Sequence, residues 1–326
     1  MFSRPRCTRE GGAMGVCRGR MELRLGQPLY PSMVAELPDP PKTIYVRGDP
    51  TALNASCISI IGSRKATPYG LAVAEMAAHV AAESNLVVVS GGALGCDQAA
   101  GRAALEAGGR HVVVFGSGAD VVYPRGAEDL VERTLSQAGA VISIEPWGAQ
   151  PRKYTFPKRN RVIAALSKAL FVTEAGLPSG TISTAETALG LGREVLSIPG
   201  SILSPESKGT NYLISEGATC ITDEESLEVA ISRIYGTLRY QRGAAPGLIG
   251  LNETESLVLD ALIANPMRID QVSAMLKKDV ATTLKFLGGL SVRGLVETLF
   301  DGRFAPTKIA LHARSRLGHN MGSMKK

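Results

Sequence analysis

The sequence predicts an α/β protein, a doubly wound and mainly parallel sheet followed by a small C-terminal module of helices and a hairpin. Three observations predict it. Six short runs, apolar on both faces, recur between residues 57 and 199, with helical patterns between them. Runs buried on both sides and spaced by helices fit a parallel sheet covered on its two faces. The residues just beyond these runs are rich in Gly and Ser, as tight strand-to-helix turns require. Finally, periodicity is lost over 236–255, which gathers Gly and Pro before helical patterning returns.

In chain order the strand candidates are CISIIG (57–62), LVVVSG (86–91), HVVVFG (111–116), AVISIE (140–145), ALFVTE (169–174) and EVLSIP (194–199). Ala-rich or amphipathic segments such as GLAVAEMAAHVAAES and DLVERTLSQ lie between them and read as helices. This unit is expected to span 30–236. Residues 1–29 are Arg-rich, lack the apolar core of a secretory signal, and are expected to be disordered. A linker is expected over 237–252. Beyond it come three helical patterns, ESLVLDALIA, IDQVSAMLK and DVATTLKFLGGLSVRG. A hairpin follows, LVETLF then RFAPT, around the Asp301-Gly302 turn. Together these predict a winged helix over 253–312. The Gly/Ser/Lys-rich end, 313–326, is expected to be mobile.

A chain of 326 residues with 44% hydrophobic content can bury one large core and a small one. The 36 Lys and Arg against 30 Asp and Glu give a formal charge of +6, which permits an acidic partner without demanding one. Aromatics are scarce at 5%, so an aromatic in a polar loop is informative. The five cysteines are scattered with no C-x-x-C pair, and the four histidines form no HExxH motif. That usage predicts reduced thiols in a cytoplasmic protein, with neither metal nor cofactor. No apolar stretch approaches the ~18 residues of a membrane span.

In a doubly wound sheet, ligands sit beyond the carboxyl ends of the strands. Four segments fall there: Gly62-Ser63-Arg64, Ser90-Gly91-Gly92-Ala93-Leu94-Gly95, Gly116-Ser117-Gly118, and Gly176 to Thr181 with Ser179 and Gly180. Backbone N–H groups in such turns, at helix starts, make anion sites. The pattern is neither G-x-x-x-x-G-K-[ST] nor GxGxxG with its acidic partner, which argues against a P-loop ATPase and a dinucleotide enzyme. Arg64 could fork onto a phosphate or pair with a loop carboxylate such as Asp97. Asp97 could cap its helix or take part in binding. Ser179 and Thr181 suit phosphate binding or ordinary capping. Glu174, Thr184 and Glu186 raise a catalytic possibility, but no His, Cys or Lys lies near in sequence to complete an acid/base pair.

The segment FPKRNRVIAAL (156–166) places Phe156, Lys158, Arg159, Asn160 and Arg161 at the head of a helix. Cations there oppose the helix dipole, at ~0.3–1 kcal/mol each when exposed. A polyanion would reverse that penalty, and Phe156 offers a face on which a base could stack, worth ~1–3 kcal/mol. The plainer reading has Phe156 stapled into the core and the cations solvated. The presumed recognition helix, DVATTLKFLGGL, carries one Lys and no Arg, so a packing or protein-contact role suits it better than groove reading.

Together these segments resemble the DNA-processing protein A (DprA/Smf) family. The resemblance is carried by IIGSRKATPYG, SGGALGCDQAA, GSGADVVYP, FPKRNRVIAALS, VTEAGLPSGTISTAETAL, GREVLSIPGSI and KGTNYLISEGA, from about Tyr30 to Ala218. It implies an extended Rossmann-like domain that binds single-stranded DNA without ATP hydrolysis. It also implies a homodimer that protects incoming strands in natural transformation and loads the RecA recombinase. Carried over by motif, Gly62, Ser63 and Arg64, the loop with Ser90, Gly91, Gly92 and Gly95, and Phe156 with Lys158, Arg159, Asn160 and Arg161 would contact the strand. Ser179, Gly180 and Thr181 would join the same pocket. The chain departs from the family at Cys96 and Ala100, and the 29 residues before Tyr30 carry no helical pattern where many members have an N-terminal helical domain. The rival reading is a nucleotide phosphoribohydrolase of the lysine-decarboxylase-like type, whose PGGxGTxxE signature is only echoed in Pro178 to Thr181 with Glu186. A purely structural interaction module is the third.

Overall fold

The computed structural model describes residues 19–237, 251–307 and 310. Strand β1 (Arg20–Arg24) is followed by α1 (Ser32–Ala35), β2 (Thr43–Gly48), β3 (Cys57–Ile61), α2 (Pro68–Glu83) and β4 (Val87–Ser90). Next come α3 (Cys96–Glu106), β5 (His111–Phe115), α4 (Glu128–Ser136), β6 (Ala140–Ser143), α5 (Thr155–Ala165) and β7 (Ala169–Val172). The unit closes with α6 (Gly180–Gly190), β8 (Glu194–Ser197), α7 (Lys208–Ser215), β9 (Thr219–Cys220) and α8 (Glu224–Tyr235). The strands form one sheet in the order β1-β2-β6-β5-β4-β3-β7-β8-β9. From β6 to β9 every neighbour pair is parallel, while β1 and β2 run antiparallel at one edge.

All six apolar runs become strands because each buries alternate residues on opposite faces. In β3, Ile58 and Ile60 face one layer and Cys57 and Ile61 the other. The first layer packs on Ala-rich α2 and α3, with Ala74, Ala78, Ala100 and Ala104 fully buried. The second packs on α5 and α6 through Val162, Ile163, Leu166 and Ile182. Fully buried side chains such as Ile60 and Phe171 each contribute about 1.5–3 kcal/mol. The sheet order reverses at β3, whose successor in sequence lies on one side and β7 on the other. That switch leaves a crevice beyond the carboxyl ends of β3 and β7.

The expected disorder of 1–29 is corrected in its described part. Residues 20–24 pair with β2 in the register Arg20↔Arg47 to Arg24↔Thr43. Leu23 sits in the core at 3% exposure, and the open edge of β2 supplies the hydrogen bonds that a short polar segment could not supply itself. Residues 1–18, the linker centre at 238–250 and the tail at 311–326 lie outside the described residues.

Three helices, α9 (Glu253–Ala264), α10 (Ile269–Leu276) and α11 (Val280–Val292), precede a hairpin of β10 (Val296–Thr298) and β11 (Phe304–Pro306). Asn252 and Glu255 form a capping box that starts α9. The group has its own core, including Val258, Leu262, Val272, Leu287 and Leu290. On α11, Val280 and Leu284 remain about half exposed. Among the described residues no helix is long and apolar enough to cross a membrane.

Candidate nucleic-acid interface

The crevice at the sheet's switch point is closed by backbone packing. Beyond β3 the chain passes through Gly62, where a Cβ would lie 2.5 Å from Thr173 Oγ1 and 2.6 Å from Cys96 Sγ. Gly95, at φ +81°, ends the loop after β4, and a Cβ there would overlap the Ser63 carbonyl. Cys96 N donates to that carbonyl at 3.2 Å. Gly62 leaves room for the Thr173 and Cys96 side chains, and Gly95 lets the second loop meet the backbone of the first.

Asp97 then enters between the loops, 6% exposed, and accepts from Gly91 N at 2.8 Å. Burial pushes its carboxyl up, against the opposing pull of Arg159 and of the Gly91, Ala93 and Gly62 backbone. Asp97 therefore neither caps its own helix, whose N-cap is Gly95, nor pairs with Arg64. Its partner in charge is Arg159, which is 4% exposed and donates from Nη1 to the Val114 carbonyl at 2.7 Å. Burial lowers the Arg159 guanidinium to about 10, with Asp97 holding it up, so it stays charged at neutral pH. Its Nε has no hydrogen-bond partner, and neither does the buried Ser179 Oγ. Both residues line one cavity of about 350 Å³. A buried charged donor without a partner is uncommon and marks a place for an acceptor.

Around that cavity the fold brings together Gly62, Ser63, Arg64, Arg159, Asn160, Ser179, Gly180 and Thr181. Thr181 Oγ1 donates to the Gly62 carbonyl at 3.3 Å, tying the start of α6 to the loop after β3. Arg64 is exposed and lies over the Phe156 ring, 5.5 Å from its centre. Arg159 flanks the same ring at 5.9 Å and Tyr123 packs against it at 5.8 Å. Phe156 rests on Gly116, where a Cβ would lie 3.0 Å from its ring, and is half-buried rather than stapled into the core. Tyr123 is the residue the sequence reading did not single out. Its signal was an aromatic in the polar loop after a strand, within GSGADVVYP.

Other expected site residues lie elsewhere. Ser90 is fully buried, shares a hydrogen bond with His111 Nε2 at 2.9 Å, and belongs to the core. Gly91 and Gly92 are buried too. Their lack of a side chain admits the Arg159 guanidinium and the Val113 and Phe115 side chains respectively. Lys158 and Arg161 line a neighbouring cleft with Lys42, Asp39 and Glu145. The helix splits the cluster by its own period: 156, 159, 160 and 163 share one face, 158 and 161 another. Thr184 lines the cavity and donates to the Gly180 carbonyl at 2.8 Å, whereas Glu186 is exposed and away from it. Glu174 lies behind the loop, accepting from Thr67 N at 3.1 Å, and burial pushes it up to about 7. The described residues hold no group of His, Cys, Asp and Glu able to bind a metal.

With this geometry in place, the match to the family model for DNA recombination-mediator protein A covers residues 23–231. The chain belongs to that family, DprA/Smf. It is 37% identical over 198 residues to Protein Smf of Escherichia coli, covering 61% of this chain and 53% of that protein. To DNA processing protein DprA of Streptococcus pneumoniae it is 38% identical over 198 residues, with 61% and 70% covered. The chain thus spans just over half of Smf. A solved structure of the S. pneumoniae DprA superposes at TM-score 0.60 and 36% identity, over 64% of this chain and 72% of that one. DprA of Helicobacter pylori, described for its single-stranded DNA binding mode, superposes at TM-score 0.60 and 29% identity, over 66% and 97%. These DprA structures share the mainly parallel, Rossmann-like sheet seen here.

Proposed function

We propose that this DprA/Smf protein binds single-stranded DNA at the switch-point cavity and acts without catalysing a reaction. One observation carries the reading. Arg159, with a free buried Nε, and Ser179, with a buried hydroxyl that has no partner, line one cavity with Arg64, and the two arginines flank the half-buried Phe156 ring. Cations and hydroxyls meet phosphate, and the ring meets a base. Ser63 meets the Glu174 carboxylate, but that carboxylate accepts from Thr67 and does not itself line the cavity. The cavity's titratable groups are Asp97, Arg64 and Arg159, and Asp97 is held by backbone N–H groups. Family membership supports the rest of the proposal. The protein works in the cytoplasm as a homodimer, protects incoming strands in natural transformation, and hands them to the RecA recombinase. The binding unit then starts at β1 rather than at residue 30, and 253–312 serves as a winged helix in protein contacts.

Fluorescent oligo-dT tests this. Log K should fall linearly with log salt, by about 0.7 per neutralised phosphate. Arg64→Ala should weaken binding and flatten that slope by about 0.7. Phe156→Ala should weaken it about 5- to 150-fold with the slope unchanged. Tight binding indifferent to both changes rules out the cavity. Release of ribose phosphate from a nucleoside monophosphate would favour the phosphoribohydrolase instead.

A further inference from the structure

The cations that α5 turns away from the cavity form a second surface. Lys158 Nζ lies 5.3 Å from the centre of the Tyr154 ring, and Arg152 Nη1 donates to the Tyr154 hydroxyl at 3.2 Å. Tyr154 is nevertheless 53% exposed, an unusual amount for a large aromatic already flanked by two cations. From there an open cleft of about 430 Å³ continues past Lys158 and Arg161 to Lys42. Its carboxylates are Asp39 and Glu145. Among the described residues, Lys42, Arg152, Lys153, Lys158 and Arg161 form no ion pair, and they outnumber the two carboxylates of the cleft.

The arrangement repeats that of the two arginines lining the cavity. There Phe156 stands beside Arg64 and Arg159. Here Tyr154, two residues earlier and across the helix start, stands beside Lys158 and Arg152. A single strand alternates a flat base with a charged phosphate, so two successive ring-and-cation stations suit one strand crossing both. An acidic peptide would use the cations but has no need of a half-exposed ring at each. We propose that the bound strand, on leaving the cavity, crosses the head of α5 and is held a second time by Tyr154, Lys158 and Lys42. This rests on the cavity reading and extends it, assigning the strand's path and lengthening the stretch of nucleotides held.

Strand length separates the two stations. Oligo-dT of about 4 and about 16 nucleotides, bracketing the usual footprints of single-strand sites, would be titrated against wild type, Tyr154→Ala, Tyr154→Phe, Lys42→Ala and Arg64→Ala. The expected result is a loss of about fivefold or more for Tyr154→Ala on the long strand alone, with Tyr154→Phe retaining affinity. Lys42→Ala should lower the salt slope of the long strand by about 0.7 and leave that of the short strand as it was. Unchanged long-strand affinity in Tyr154→Ala, with short-strand binding intact, overturns the extension alone. An equal loss on both lengths also overturns it, because the ring would then act on the cavity or on the fold. Arg64→Ala without effect on either length overturns the cavity reading, and this extension with it.

Discussion

The loop after β3 presents Ser63 and Arg64 to solvent, whereas the loop after β4 turns inward and buries Gly91 and Gly92. Both are short, glycine-bearing and placed at the same edge of the sheet. They differ in what their glycines make room for. Gly62 lets a backbone pass close to the head of α3, so the residues after it are carried outward. Gly91 lets a guanidinium into the space a side chain would take, and Asp97 accepts from its N–H. In the proposed binding mode one loop thus supplies contacts and the other holds Arg159 in position to make them. A glycine-rich strand end is therefore no guide to which of these two tasks it performs.

The contrast can be broken most severely at the inner loop. Asp97→Ala leaves Arg159 buried without its countercharge and should cost about 3–5 kcal/mol of unfolding free energy in a denaturant titration. A loss under about 1 kcal/mol would mean that the backbone, not the charge pair, holds the loop. Gly91→Ala comes next, at about 1–3 kcal/mol, because the new methyl overlaps the Arg159 guanidinium. Gly180→Ala, with nothing within 4 Å of its Cβ, should change stability by less than about 0.5 kcal/mol. Equal effects at 91 and 180 would contradict the packing described here.

Behind the inner loop, His111 is buried between Ser90 and Thr134, and burial lowers it from 6.5 to about 3. The unfolded chain therefore takes up this proton first as pH falls. Stability from the neutral ring is fully present above pH 6.5 and declines toward pH 3, by about 1.4 kcal/mol per pH unit. His111→Gln should flatten that part of the pH–stability curve, and a curve of unchanged steepness would contradict it. The smallest effect on folding belongs to the outer loop. Arg64→Ala should shift stability by less than about 0.5 kcal/mol while weakening oligo-dT binding, which separates its task from that of Asp97.

Much of the fold was legible locally. The six parallel strands carry apolar residues on both faces, and that period survives any arrangement of neighbours. The edge strand β1 was not legible, since RMELR buries only Leu23 and is ordered by pairing with β2. At the site, Arg64 and the start of α6 were placed by the rule that ligands meet strand ends. Ser90 was misplaced by the same rule, because its hydroxyl turns into the core toward His111. Tyr123 was overlooked because its importance lies in packing on Phe156, 33 residues later in the chain.

By itself the sequence determined the strand and helix succession, the switch-point edge where small residues collect, and a helix head richer in cations than its dipole favours. Those properties are written in residues a few positions apart. Only the tertiary structure decided that Asp97 answers Arg159 rather than Arg64, and that Gly91 admits a guanidinium. It also decided that the cations of FPKRNR line two clefts instead of one. Each of these depends on which elements α5 packs against. Burial of Val162, Ile163 and Leu166 beneath the sheet sets the rotation of that helix, and with it the direction in which every charge at its head points.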